Sequence, residues 1–160
     1  MSPPVWYEGN LPTLLAMKKG SDVLTSQIIH PEILSALGSA GHGAQVVIAD
    51  GNFAVSVRSP AQARVVYLNL RPGLVTVTDV LDSILHIIPV EAAFGMEHPP
   101  ELKAEILLNF QTMLPDSIEL QQLSKAAFYD QVKAPETALV IATGDTRRFA
   151  NIILRIGVVV

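Results

Sequence analysis

Residues 41–52 read Gly41-His42-Gly43-Ala44-Gln45-Val46-Val47-Ile48-Ala49-Asp50-Gly51-Asn52. Val46 to Ala49 is a continuous apolar run, the pattern of a strand covered on both faces. Such a strand requires helices on either side of its sheet. Asp50-Gly51-Asn52 then closes it with turn residues. A polar loop directly after a buried strand is where α/β proteins commonly place ligand sites.

Upstream, Pro31 suits the first turn of a helix, because its φ is already fixed and its missing donor would be unpaired there anyway. Ile33, Leu34 and Leu37 mark the buried stripe, and Gly41 is expected to end this helix as a left-handed cap. Downstream, Arg64 to Leu68 reads as a strand. Leu81, Ile84, Leu85 and Ile88 share one helical face before Pro89 ends it. Val90 to Phe94 reads as a short strand, Glu101 to Leu114 as an amphipathic helix, and Ile118 to Leu120 as a weak strand. Ser124 can cap a helix over Lys125 to Lys133, and Ala138 to Ala142 and Ile152 to Val160 are β-branched strands. The alternation predicts an α/β domain without internal repeats. Residues 1–16, with Pro3, Pro4, Gly9 and Pro12 among isolated apolar residues, read as an irregular extension, leaving 17–160 as the domain.

The 160 residues suffice for one core. A hydrophobic share of 49% against 16% charged residues suggests apolar surface covered by other subunits. A formal charge of -4 disfavours nucleic acid and anionic lipid as partners. No apolar run reaches the roughly 18 residues of a membrane span, and the N-terminus lacks the pattern of a secretory signal. The absence of cysteine excludes a thiol nucleophile or thiolate metal site and fits a cytoplasmic location.

Gly38-Ser39-Ala40-Gly41-His42-Gly43 is glycine-rich, but it lacks dinucleotide-binding spacing and precedes its strand where that motif must follow one. A phosphate loop, a Gly-x-Ser-x-Gly elbow and paired metal-binding histidines are also missing. Among the four histidines, His30 precedes Pro31, His86 lies beside a helix stripe, and His98 precedes two prolines; each reads as solvated or structural. His42 differs in sitting between two glycines, where backbone can approach a ligand and the imidazole can face a cleft. Periodicity alone still favours an ordinary surface histidine there, and an ordinary turn residue at Asp50. The two bracket a strand of roughly 20 Å, so they would meet only through chain curvature or a neighbouring subunit.

The run from Gly41 to Asp50 resembles the Gly-His-Gly-Asp start and downstream Asp of the RbsD/FucU family, which comprises D-ribose pyranase and L-fucose mutarotase. Val90-Glu91-Ala92-Ala93, Ala127-Phe128-Tyr129-Asp130, Thr143-Gly144-Asp145 and Phe149-Ala150-Asn151-Ile152-Ile153-Leu154 agree in family order, from about Lys19 to the C-terminus. The resemblance implies a single-domain, three-layer α/β/α fold with a mixed central sheet. It implies a sugar mutarotase that opens and recloses a monosaccharide ring without cofactor or metal, and homo-oligomeric rings, often decamers, with sites built across subunit boundaries.

By the same resemblance, His42 matches the catalytic histidine, and Asp50, Lys125, Phe149 and Asn151 match sugar-contacting positions. Ring opening removes a proton from the anomeric hydroxyl and delivers one to the ring oxygen, a task for a group titrating near neutrality. Lys125 stands where fucose-type members carry Arg and ribose-type members His. Phe149 replaces a Tyr, Ala44 replaces an Asp, and Asn69-Leu70-Arg71-Pro72-Gly73 replaces Arg-Ala-Asp-Gly. Gly-His-Gly, Ala-Phe-Tyr-Asp and Lys125 lean towards L-fucose, whereas Val-Glu-Ala-Ala and Ala150 lean towards D-ribose. Phe149, which has no hydroxyl, keeps open a sugar binder without catalysis.

Overall fold

The computed structural model describes residues 24–102 and 105–160. The extension expected over residues 1–16 lies outside them. Eleven elements alternate along the chain: α1 Pro31–Ser39, β1 Gln45–Ala49, α2 Val55–Arg58, β2 Arg64–Tyr67, α3 Val77–Leu85, β3 Val90–Met96, α4 Glu105–Met113, β4 Leu120–Leu123, α5 Lys125–Val132, β5 Thr137–Ala142 and β6 Ile152–Ile156.

The strands form one six-stranded sheet in the order β2-β5-β1-β6-β3-β4. Every pairing is parallel except the two made by β6, which runs antiparallel between β1 and β3. β1, the strand read first, is buried along its whole length. Val46 and Ile48 face the layer of α1, α3 and α4, while Val47 and Ala49 face that of α2 and α5. β6 alternates in the same way, with Ile152 and Leu154 on one side and Ile153 on the other. Phe110 of α4 and Phe128 of α5 plug the two layers, both fully buried. This is the expected three-layer α/β/α arrangement, held by apolar surface removed from water on both faces of the sheet.

Several boundaries differ from expectation, each for a local reason. α1 ends at Ser39, and its cap Ala40 is extended, with its amide reaching the Ala36 and Leu37 carbonyls. The left-handed glycine is therefore Gly43, at φ 83°, not Gly41. α3 starts at a reciprocal capping box, in which Thr76 Oγ1 accepts from the Asp79 amide and Asp79 accepts from the Thr76 amide. The described part of α4 begins at Glu105, so Leu102 precedes it, and β4 lies two residues later than the weak strand expected at Ile118 to Leu120. β6 stops at Ile156; Val158 to Val160 are exposed because no neighbouring strand continues the ladder. The short α2 has no periodic signal in sequence.

Gly144 separates two kinds of glycine. A Cβ there would collide with the carbonyl oxygens of Arg71 and Leu74, because the 71–74 turn rests on its backbone. Gly38, inside α1, has nothing near its missing Cβ. Gly144→Ala should therefore lose about 1–3 kcal/mol in urea unfolding. Gly38→Ala should gain about 0.5–1 kcal/mol by reducing the freedom of the unfolded chain. Equal effects at the two positions would contradict this packing.

Candidate active site

β1, β3 and β4 point the same way, so the segments leaving them lie at one end of the sheet. β6 runs oppositely and therefore starts at that end. Asp50 leaves β1, Lys125 opens α5 after β4, and Phe149 and Asn151 lead into β6. All four line one cleft of about 410 Å³.

Asp50 and Asn151 clasp one another across 101 positions of sequence. The Asp50 amide donates to Asn151 Oδ1 at 2.9 Å, and Asn151 Nδ2 donates to Asp50 Oδ2 at 2.9 Å. This pair fixes which way the Asn151 amide faces. The Asn52 amide donates to the other Asp50 oxygen at 2.9 Å. Burial pushes the Asp50 carboxyl above its usual range; hydrogen bonds from Asn52, Asn151 and Phe53 pull the other way, and the nearby Asp145 charge adds to the rise.

Asp145 has the opposite fate. Burial again works against its charge, but Arg147 outweighs it, with Nε at 3.0 Å, Nη2 at 2.6 Å and its own amide at 2.9 Å. The carboxyl is held below its usual range. Its second oxygen also accepts from the Val77 amide at the start of α3, and Arg147 Nη2 reaches Thr78 Oγ1. This ion pair anchors the segment that carries Phe149.

Phe149 has φ 62°, the left-handed region where a residue with a Cβ is strained. Its carbonyl accepts from the Asn151 amide at 2.8 Å, and its ring lies 6.2 Å from that of His98. His98, read from sequence as solvated or structural, thus borders the cleft through Phe149. Across from it stands Tyr129, edge-on to Phe53 at 5.7 Å, with the Arg58 guanidinium 4.1 Å from its ring centre. Lys125 Nζ is 5.8 Å from the same ring centre.

Tyr129, Asn52 and Arg148 line the cleft, and no role was read for them in the sequence. Tyr129 follows Lys125 by four residues, one helical turn on the same face, and that spacing was the available signal.

His42 lies elsewhere. It precedes β1, whereas Asp50 follows it, so five extended residues, about 16 Å, separate their ends of the strand. One chain does not bring His42 to the cleft. Its Nε2 lies 2.7 Å from Glu91 Oε2 at the start of β3, with the two side chains 58% and 38% exposed. This contact fixes the orientation of the imidazole ring. Glu91 sits in the Val90 to Ala93 block but was given no role in sequence. Among the described residues, no three His, Asp or Glu side chains cluster as a metal site would need.

Against known proteins, the description of the RbsD / FucU transport protein family matches residues 24–159. D-ribose pyranase 2 of Streptomyces griseus is 30% identical, over 83% of this chain and 96% of that protein. The crystal structure of FucU from Bifidobacterium longum superposes with a TM-score of 0.71 at 33% identity, covering 82% of this chain and 97% of that one. The fucose mutarotase of Streptococcus pneumoniae, in complex with L-fucose, gives a TM-score of 0.68 at 28% identity, covering 82% and 95%.

The two buried carboxylates bear on stability with opposite signs. Asp145, depressed in the fold, contributes stability present above its unfolded value of about 3.9 and lost as pH falls through its folded value. Asp50, raised in the fold, weakens the fold as pH rises through its folded value. Asp145→Asn should lower stability by about 2–4 kcal/mol at pH 7. The gap from wild type in thermal unfolding should narrow below about pH 4. A gap independent of pH would rule out the ion pair as its cause.

Proposed function

The chain belongs to the RbsD / FucU transport protein family, and on that footing we propose that it is a mutarotase that interconverts ring forms of a free monosaccharide, L-fucose-like in preference to D-ribose. The observation that carries this is the convergence of Asp50, Lys125, Phe149 and Asn151, from three separate parts of the chain, on one cleft. A turn residue at Asp50 or Asn151 would have no reason to clasp its counterpart in that cleft.

The site is completed by a second subunit. His42 and the cleft occupy opposite ends of β1, which favours His42 of one subunit acting on sugar held in the cleft of a neighbour. This agrees with the shared sites and the decameric ring that the resemblance implies. In the reaction, a base takes the proton of the anomeric hydroxyl while the ring oxygen gains one. The bond between the anomeric carbon and ring oxygen breaks to give the open aldehyde. Rotation and reclosure on either face return the proton, so no cofactor is consumed.

His42, held by Glu91, is the group suited to move that proton. Asp50 and the oriented Asn151 amide hold sugar hydroxyls, and Phe149 packs against an apolar sugar face. Phe149 has no hydroxyl, but Tyr129, from the Ala127 to Asp130 block, lines the same cleft and carries a phenol. That phenol favours catalysis over the alternative of a sugar binder that has lost it.

Saturation-transfer NMR on equilibrated L-fucose and D-ribose tests the reading, with faster exchange expected for L-fucose in the presence of protein. His42→Ala should slow exchange by roughly 10²-fold to 10⁴-fold, and Tyr129→Phe should slow it by a comparable factor if the phenol supplies the acid. Exchange no faster with protein than without it, for both sugars, would sink the enzyme reading. Mixed oligomers of His42→Ala and Asp50→Ala chains should regain activity that neither variant has alone. Failure to complement, or a stable monomer in light scattering, would reject the shared site.

A further inference from the structure

Arg58 ends α2, the four-residue helix that follows the Asp50 turn, and it is half-buried. Its guanidinium carbon lies over the Tyr129 ring, 4.1 Å from the ring centre, within the range of a cation–π contact. Among the described residues, no carboxylate oxygen comes within 4.0 Å of it. Its charge therefore faces an aromatic ring in place of an ion partner. Phe53, from the turn between β1 and α2, packs edge-on against the same ring at 5.7 Å. Tyr129 lines the cleft and is only half-buried on α5, where a tyrosine without such neighbours would sample several rotamers. The short α2 thus delivers to the cleft wall a residue that the reaction described above does not yet use.

We propose that Arg58 is a positioning residue for ring opening: it acts through Tyr129, holding the phenol in the wall and stabilising the negative charge the phenol gains on giving up its proton. The inference rests on the reading of the cleft as a mutarotase site with Tyr129 as the acid. In that reaction His42 takes the proton of the anomeric hydroxyl, whose oxygen becomes that of the aldehyde. The bond between the anomeric carbon and the ring oxygen breaks, its electron pair goes to the ring oxygen, and that oxygen takes the Tyr129 proton. The protein then holds an imidazolium and a phenolate, and reclosure returns both protons. Phenolate charge spreads into the ring, so a cation over its face attracts it more strongly than it attracts the neutral phenol. An interaction that grows as the proton leaves speeds the chemical step more than it tightens sugar binding. Lys125 Nζ is 5.8 Å from the same ring centre, so Arg58, at 4.1 Å, has the larger effect on that charge.

Saturation-transfer NMR with L-fucose on the full-length chain gives kcat and KM for Arg58→Gln, which keeps a planar end group without charge, and for Arg58→Lys, which keeps the charge. Arg58→Gln should lower kcat by roughly threefold to thirtyfold with KM within about twofold of wild type, and Arg58→Lys should recover most of that loss. In a Tyr129→Phe chain, where no phenolate forms, Arg58→Gln should have no further effect on kcat. An equal loss in both backgrounds would overturn the proposal, because Arg58 would then support only the fold. A rise in KM at unchanged kcat, or Arg58→Lys no better than Arg58→Gln, would overturn it as well. Slowed exchange in Tyr129→Phe beside wild-type kcat in Arg58→Gln would overturn the role of Arg58 alone. Unchanged exchange in Tyr129→Phe would remove the acid reading of Tyr129 and this inference with it, leaving the mutarotase reading standing.

Discussion

Ile48 of β1 lies opposite Ile152 of β6 in an antiparallel ladder, and the geometry of the cleft follows from that register. With Ile48 and Ile152 paired, Asp50 and Asn151 fall side by side just beyond the last rungs, close enough to exchange two hydrogen bonds. A slip of one residue would turn every β6 side chain to the other layer and separate the clasp. Apolar burial on both faces makes such a slip costly, since Ile152, Ile153 and Leu154 are all fully buried. The packing that stabilises the sheet and the alignment that builds the cleft are thus one constraint.

The single reversed strand also brings together segments that an all-parallel sheet would keep apart. A parallel strand delivers its incoming loop to the amino end; β6 delivers its own to the carboxyl end of its neighbours. Phe149, Ala150 and Asn151 therefore meet residues leaving β1, β3 and β4. Asp145 and Arg147 then tie the same segment to the start of α3, so the cleft is supported from the far layer of helices.

Much of this was legible in sequence, because burial writes itself as residue type. The run from Val46 to Ala49 announced a two-faced strand, and Ser124 announced the start of α5 where its hydroxyl accepts from the Ala127 amide. Gly41 misled, because a glycine marks freedom without saying which neighbour uses it; the positive φ fell at Gly43. β6 was read too long because valine favours strands whether or not a partner strand is present, and Val158 to Val160 have none. For the site, the family motifs supplied Asp50, Lys125, Phe149 and Asn151. Tyr129 and Arg148 escaped because their place in the lining comes from how the segments fold together, and sequence order does not record that. Glu91 escaped for the same reason: its meeting with His42 spans 49 positions and depends on how β1 and β3 flank β6.

The left-handed backbone at Phe149 has a further consequence for anyone redesigning the chain. A strained residue of this kind costs about 1–3 kcal/mol, which glycine would largely recover. Stability-guided engineering, which favours such relief, would arrive at this position early. The same change would strip the aromatic wall from the cleft and the packing of the Phe149 ring against the core, so relief of the strain is also an erasure of that wall. Thermostability screens that leave ligand binding unmeasured would select that loss without registering it.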